Sequence, residues 1–309
     1  MGFWKTARRL NNIFILGYWS VTMPKQCSVP VQPVRDRIVQ TTMKGIKPKN
    51  ILVIDEFKRN NVSLDLDSRG ELAHGFMTSK IIEDGLPNAN VYKKDIGNPF
   101  LESDNYIKDS IAEPILKDMR AGKRYDAANI SLGVEVGFDD LSEMLGEEIT
   151  SKNIASKKRK VKDYLLNNPD KTVKRQLLVF KCKSKDIMPL VDCMDSLSSK
   201  GTKVFVSAGN DGKNKFNLLS LIDNSITVGA LDKKGKKTYY TEDHSLVKRW
   251  KKGNIPLKKT YYGYKIQFDK STKNIEKSQT TGFWHATLKN DIEGTSFSAP
   301  RALVEELNK

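Results

Sequence analysis

Three histidines stand in this chain, His74, His244 and His285, so chemistry that needs an imidazole must use one of them. His74 is the one in a chemical context. Asp55 ends the apolar run Asn50-Ile51-Leu52-Val53-Ile54, and His74-Gly75 opens a helical stretch further on. Ser296 lies in Gly294-Thr295-Ser296-Phe297-Ser298-Ala299-Pro300. A carboxylate, an imidazole and a hydroxyl are the parts of a nucleophilic attack on a carbonyl. The hydroxyl attacks, the imidazole takes its proton, and the carboxylate fixes the tautomer and steadies the positive charge. Further donors must stabilise the oxyanion. The chain order Asp, His, Ser is one of the orders in which this set recurs. Each residue also has a plainer reading. An Asp after an apolar strand is generic, a single His is often structural, and Thr295-Ser296 suits the cap of an ordinary helix.

The surrounding elements must place these groups. Asn50–Asp55 reads as a buried parallel strand, whose carboxyl end is where α/β sheets hold their chemistry. A helix is expected from His74 to about Ile82, stopped by Gly85 and Pro87. Ala89–Tyr92, Asp126–Leu132, Lys203–Ala208 and the stretch around Ile226-Thr227-Val228 read as strands. Helical spacing runs through Ile107, Ile111, Ile115, Leu116 and Met119, with Gly122 just past the end. Asp186 is expected to cap a helix whose face is Ile187, Leu190, Val191, Met194 and Leu197. A terminal helix follows Thr295. The alternation gives an α/β class with a largely parallel sheet. Two stretches break the rhythm: residues 134–184, which contain Lys157-Lys158-Arg159-Lys160-Val161-Lys162, and the Lys- and Tyr-rich residues 232–280.

The sequence around Ser296 resembles the nucleophile motif of the subtilases, in which Gly-Thr-Ser leads into a buried helix of small residues with a proline. Val204-Phe205-Val206-Ser207-Ala208-Gly209-Asn210 is similar to that family's strand ending in Ala-Gly-Asn. Asp55 and His74-Gly75 resemble its catalytic Asp and His-Gly. Asn129-Ile130-Ser131-Leu132-Gly133 resembles its Ser-Leu-Gly strand, and Ile222–Ala230 its Val-Gly-Ala strand. The resemblance spans roughly residues 49 to 309. It implies a subtilisin-like three-layer α/β/α sandwich with a mainly parallel central sheet. It also implies a serine endopeptidase with Asp55, His74 and Ser296 as the triad and Asn210 as an oxyanion donor. Ser131, Leu132, Gly133, Ala208 and Gly209 would contact a protein or peptide substrate, part of it by strand addition. Two departures stand near the triad. Asp55-Glu56-Phe57 replaces Asp-Ser/Thr-Gly, and His74-Gly75-Phe76-Met77-Thr78-Ser79 replaces His-Gly-Thr-x-Val-Ala. Phe57 and Phe76 are expected to reshape the cleft. No second substrate strand is recognisable between residues 95 and 105.

Residues 1–48 read as an N-terminal extension and 49–309 as the peptidase domain, with a basic insertion at about 134–184. Lys5, Arg8 and Arg9 precede the apolar Ile13–Val21 as in a short signal peptide, and a packed N-terminal helix is the other reading. Met1–Thr6 fits a loose myristoylation pattern. Export and a cytoplasmic location both stay open. No run reaches the roughly 20 apolar residues of a membrane span. Cys27, Cys182 and Cys193 are too few and too scattered for a disulfide framework or a zinc site. Asp65 and Asp67 lack a full calcium-loop pattern. Neither a metal nor a cofactor is expected.

The net charge is +16. It keeps a chain soluble, and it also attracts an anionic surface or acidic partner. Basic and aromatic residues interleave from Tyr239 to Phe268, which suits a hairpin with snorkelling lysines or a nucleic-acid contact. A catalytically inactive relative that binds a partner or polyanion through its basic surface is the alternative to the enzyme.

Overall fold

The computed structural model describes residues 47–57, 73–96, 106–176, 180–260, 263–276 and 291–309. The signal-like and myristoylation-like segments, Asp65, Asp67 and His285 lie outside the described residues. So does most of the stretch from 95 to 105.

In chain order the strands and helices begin with β1 (Asn50–Asp55), α1 (His74–Gly85), β2 (Asn90–Asp95) and α2 (Glu113–Arg120). Then come β3 (Ala127–Ile130), β4 (Glu135–Gly137), α3 (Phe138–Leu145) and α4 (Ile154–Asn167). Next are β5 (Thr172–Gln176), β6 (Phe180–Lys183), α5 (Ser184–Ser199), β7 (Lys203–Ser207) and β8 (Lys215–Asn217). The chain continues through β9 (Ile226–Leu231), β10 (Val247–Lys252), β11 (Asn254–Lys259) and β12 (Gly263–Gln267). It closes with β13 (Thr272–Glu276), β14 (Asp291–Glu293) and α6 (Ser298–Leu307).

Six strands form the main sheet in the order β10-β9-β7-β3-β1-β2. All five pairings are parallel. Both faces are buried, and the period of two sorts their residues. Ile51 and Val53 pack with Ile82 of α1 and with Ala299, Ala302 and Leu303 of α6. Leu52 and Ile54 point the other way, to Ile115 of α2 and Leu190, Val191 and Met194 of α5. These are the three layers of an α/β/α sandwich. Each fully buried Leu or Ile contributes about 1.5–3 kcal/mol. The small Ala299 and Ala302 let α6 lie close on the sheet. The chain leaves β1 toward β2 on one side, and β3 returns on the other side of β1. The crevice at such a reversal, beyond the carboxyl ends of the strands, is where open α/β sheets bind ligands.

The sequence reading needs four corrections. β10 is the sixth strand of the main sheet, although its Val-Lys-Arg-Trp-Lys-Lys carries no buried-strand pattern. It is an edge strand, and edges carry charge. The helix expected around residues 105–120 widens into a π-helical turn at Lys108–Ala112, directly before Glu113-Pro114. Pro114 has no N–H to donate, so the regular ladder is interrupted there. Asp186 is not the cap of α5. It lies in the first turn and accepts the Lys183 N–H at 2.7 Å. Phe57 and Phe76 do not reshape the cleft, because both are buried in the core. Phe57 packs with Val53 and Ile82, while Phe76 meets Phe268 edge-on at 6.0 Å. Phe268 belongs to a packed cluster with Ile255, Ile266 and Ile292. These come from the second sheet, an antiparallel one in the order β13-β12-β11-β14.

The basic run Lys157–Lys162 lies on α4, which buries Val161 and Leu165. Its cations meet acids of the domain. Lys157 and Lys160 pair with Glu147 at 2.8 and 3.0 Å, and Lys162 pairs with Asp195 and Asp223. Arg159 points outward beside Asp163.

His244 is buried with its ring edge-on to Phe216 at 6.0 Å, and its Nδ1 accepts the Leu246 N–H. Burial disfavours the charged imidazolium, with partial offset from Asp243 and the Ala208 backbone, and lowers the pKa from 6.5 to about 4. The unfolded chain therefore takes up this proton before the folded one does. Stability is fully present above pH 6.5 and is lost as the pH falls toward about 4. Urea unfolding across that window will show a slope that is reduced in His244→Gln.

Candidate active site

Strand parity sets the first group. Asp55 follows Ile51 and Val53 on the α1 face of β1, at its carboxyl end, and is completely buried. A buried carboxylate is costly unless donors surround it. Three do so. The Glu56 N–H donates to Oδ1 at 2.7 Å, His74 Nδ1 lies 2.6 Å from the same oxygen, and Thr78 Oγ1 donates to Oδ2 at 2.8 Å. His74 and Thr78 are one turn apart at the start of α1, so both side chains face β1. The helix starts close to the strand: the Gly75 N–H donates to the Glu56 carbonyl at 2.8 Å. A Cβ on Gly75 would lie 2.7 Å from the Phe57 ring and 2.8 Å from that carbonyl, so only glycine fits.

The Asp55 bond gives the Nδ1 proton of His74 a fixed partner and leaves Nε2 as the free acceptor. The His74 side chain is 31% exposed, so a ligand can reach it. Burial opposes its positive charge, but the attraction of Asp55, their hydrogen bond and the more distant Glu56 outweigh that. The pKa is raised above 6.5.

Ser296 lies in the short 3-10 turn Thr295–Phe297, between β14 and α6. The next residue, Phe297, puts its ring 5.7 Å from that of His74, so the serine turn and the imidazole are neighbours. Among the described residues the Ser296 hydroxyl donates to the Ser131 carbonyl at 3.1 Å, not to His74. Ser131 Oγ returns a bond to the Ser296 carbonyl at 2.8 Å.

Thr295 locks the oxyanion candidate. Asn210 Oδ1 accepts the Thr295 N–H at 2.8 Å and the Thr295 hydroxyl at 3.0 Å. An N–H must meet an acceptor, so the amide is oriented without ambiguity and its Nδ2 donor faces outward from an exposed residue. The same Thr295 Oγ1 accepts the Gly209 N–H at 3.2 Å. One buried hydroxyl thus ties the serine turn to the end of β7.

The expected substrate segment divides. The Ser131 and Leu132 carbonyls already have partners, Ser296 for the first and Ser207 and Asn217 for the second. Gly133 is exposed, while Ala208 and Gly209 are buried along the continuation of β7. Two positioning residues escaped the sequence reading. Thr78 is one. Asn217 is the other, completely buried, donating to the Leu132 and Ser207 carbonyls and accepting from the Val134 and Leu219 N–H groups. All four of its hydrogen-bonding positions are filled. Helical spacing could have flagged Thr78, one turn beyond His74, while nothing in the sequence flags Asn217.

The sequence profile of the subtilase family matches residues 69–302, a stretch that includes His74, Asn210 and Ser296 and begins after Asp55. The chain belongs to the subtilase family, a family of serine peptidases. Among solved structures, a lanthipeptide protease is 16% identical with a TM-score of 0.45, covering 83% of this chain and 71% of that one. A cold-adapted subtilisin-like serine proteinase is 13% identical with a TM-score of 0.42, covering 84% and 75%. Comparison with curated proteins gives no match. Among the described residues no group of acidic, Cys or His side chains could hold a metal ion, and no helix is long and apolar enough to cross a membrane.

Thr78 draws part of the Asp55 charge away from His74. In Thr78→Val only the Glu56 N–H shares that charge with the imidazolium, so the His74 pKa will rise above its wild-type value. Asp55→Asn will lower it. Titration of the His74 ring signal by NMR reads both.

Proposed function

We propose that this subtilase is an endopeptidase that cleaves peptide bonds through an acyl-enzyme formed on Ser296. His74 takes the serine proton at Nε2 and later gives it to the leaving amine. Asp55 holds the imidazole by Nδ1 and balances its transient charge. For attack, the Ser296 side chain turns from the Ser131 carbonyl to His74. Catalytic hydrogen bonds are often loose before substrate binds. The carbonyl oxygen becomes an oxyanion between Asn210 Nδ2 and the Ser296 N–H. Water then attacks the ester carbonyl, His74 takes its proton and gives it to Ser296 Oγ as the ester bond breaks, and the acid product leaves.

The observation that carries this reading is the pair of locks around His74 and Asn210. Asp55 orients the base and Thr295 orients the donor, and both meet the turn that carries Ser296. Exposed Gly133 offers a backbone edge to an extended peptide, with Ala208 and Gly209 across from it.

A fluorophosphonate probe tests the proposal. It will label the wild type and not Ser296→Ala, and a folded wild type that takes no label would falsify the reading. Asn210→Ala will lose about 10²–10³ in kcat. Because His74 must be neutral to act and its pKa is raised, activity will fall to half at a pH above 6.5 on the acid side. Asp55→Asn will remove that position of the limb.

A further inference from the structure

The oxyanion donor stands on backbone that is free to turn. Asn210 and Asp211 are exposed, and the glycines on either side of them both have positive φ, +113° at Gly209 and +87° at Gly212. Glycine opens more backbone conformations than any other residue, so this loop needs anchors from outside. Thr295 supplies one set from the serine side, holding the Asn210 amide oxygen and the Gly209 N–H. A second set comes from the segment after β9. The Gly212 N–H donates to the Tyr240 carbonyl at 2.9 Å. Glu242 brackets Asn210 itself. Its N–H donates to the Gly209 carbonyl at 3.3 Å, and its Oε1 accepts the Asp211 N–H at 3.3 Å.

Glu242 is completely buried, and its carboxyl group fills the space that a side chain at residue 209 would need. A Cβ there would lie 2.2–2.4 Å from it. Oε2 meets no hydrogen-bond partner among the described residues. A buried carboxyl with one unpartnered oxygen costs free energy. What it supplies is an acceptor beneath an exposed loop, at the N–H that follows Asn210. We propose that Glu242 is a positioning residue for the oxyanion hole, fixing the backbone on both sides of Asn210 so that Nδ2 stays aimed at the developing charge. This rests on the endopeptidase reading of Ser296. Thr295 orients the amide and Glu242 the chain that bears it, so the two act on different degrees of freedom.

The clamp works with the carboxyl group neutral. Burial is the largest influence on its proton. Glu135 and Asp211 act in the same direction, while the Asp211 N–H and Lys215, which is bonded to Asp211 at 2.7 Å, offset part of it. The pKa is raised to about 9. Below that pH the group is a neutral acceptor. Above it, a buried charge with a single N–H donor must move toward water, and the loop is released.

Fluorophosphonate labelling of the wild type first establishes whether Ser296 is active. Glu242→Ala is then expected to lower kcat about tenfold and to leave KM within about twofold, because the donor acts on the transition state and not on bound substrate. Glu242→Gln, neutral and still an acceptor, recovers most of that loss. In an Asn210→Ala background Glu242→Ala costs less than about twofold, since the group it positions is gone. The kcat of the wild type falls as the pH rises through about 9, and that of Glu242→Gln does not, with circular dichroism reporting an intact fold throughout. Equal losses in both backgrounds overturn the assignment, and so does the same alkaline limb in wild type and Glu242→Gln. Either result, with a labelled wild type, leaves the endopeptidase reading standing. If Glu242→Ala does not fold, the two pH profiles decide. A folded wild type without label overturns the endopeptidase reading and this assignment with it.

Discussion

A carboxylate with no contact with water organises the site. That carboxylate is Asp55. Its charge is held by an N–H, a hydroxyl and an imidazole, and each donor must be delivered by the fold. That requirement fixes α1 against β1. The helix must start where His74 and Thr78, one turn apart, can both reach the strand end. The approach is then so close that residue 75 can carry no side chain. The placing of His74, the packing of Phe57 over Gly75 and the orientation of α1 are consequences of satisfying one charge.

The same economy recurs on the serine side. Thr295 uses its N–H, its hydroxyl proton and its hydroxyl lone pair on residues 209 and 210. Serine at this place would keep those bonds but lose the methyl group that helps fill the completely buried site. Asn217 is a second side chain of this kind. It bridges the exits of β3 and β7 through one amide.

Asp55 was legible because an apolar run ends on a single acid, and strand parity alone predicts which layer it faces. His74 and Ser296 were legible through their glycine neighbours, of which Gly75 marks a close approach. Thr78 was visible as one more residue in a helix, but the bond it makes depends on the distance to β1, which no spacing encodes. Asn217 was hidden for the same reason. β10 was missed because hydrophobic periodicity reports burial, and an edge strand with three lysines and an arginine is only partly buried. The two phenylalanines misled because a bulky residue beside a catalytic motif says nothing about which way its ring turns.

The arrangement of the main sheet gives the net positive charge a concrete place. Its two outer strands are β2 and β10. One reads Asn-Val-Tyr-Lys-Lys-Asp and the other Val-Lys-Arg-Trp-Lys-Lys. Arg249 and Lys251 of β10 are tethered to Glu306 and Glu305 of α6, which holds the last helix to that rim. A second copy approaching either rim to extend the ladder would have to bring like charges together. The lysines of these two strands therefore act as a guard against fibrous self-association, and a surplus of cations that suggests an anionic partner also serves to keep identical molecules apart.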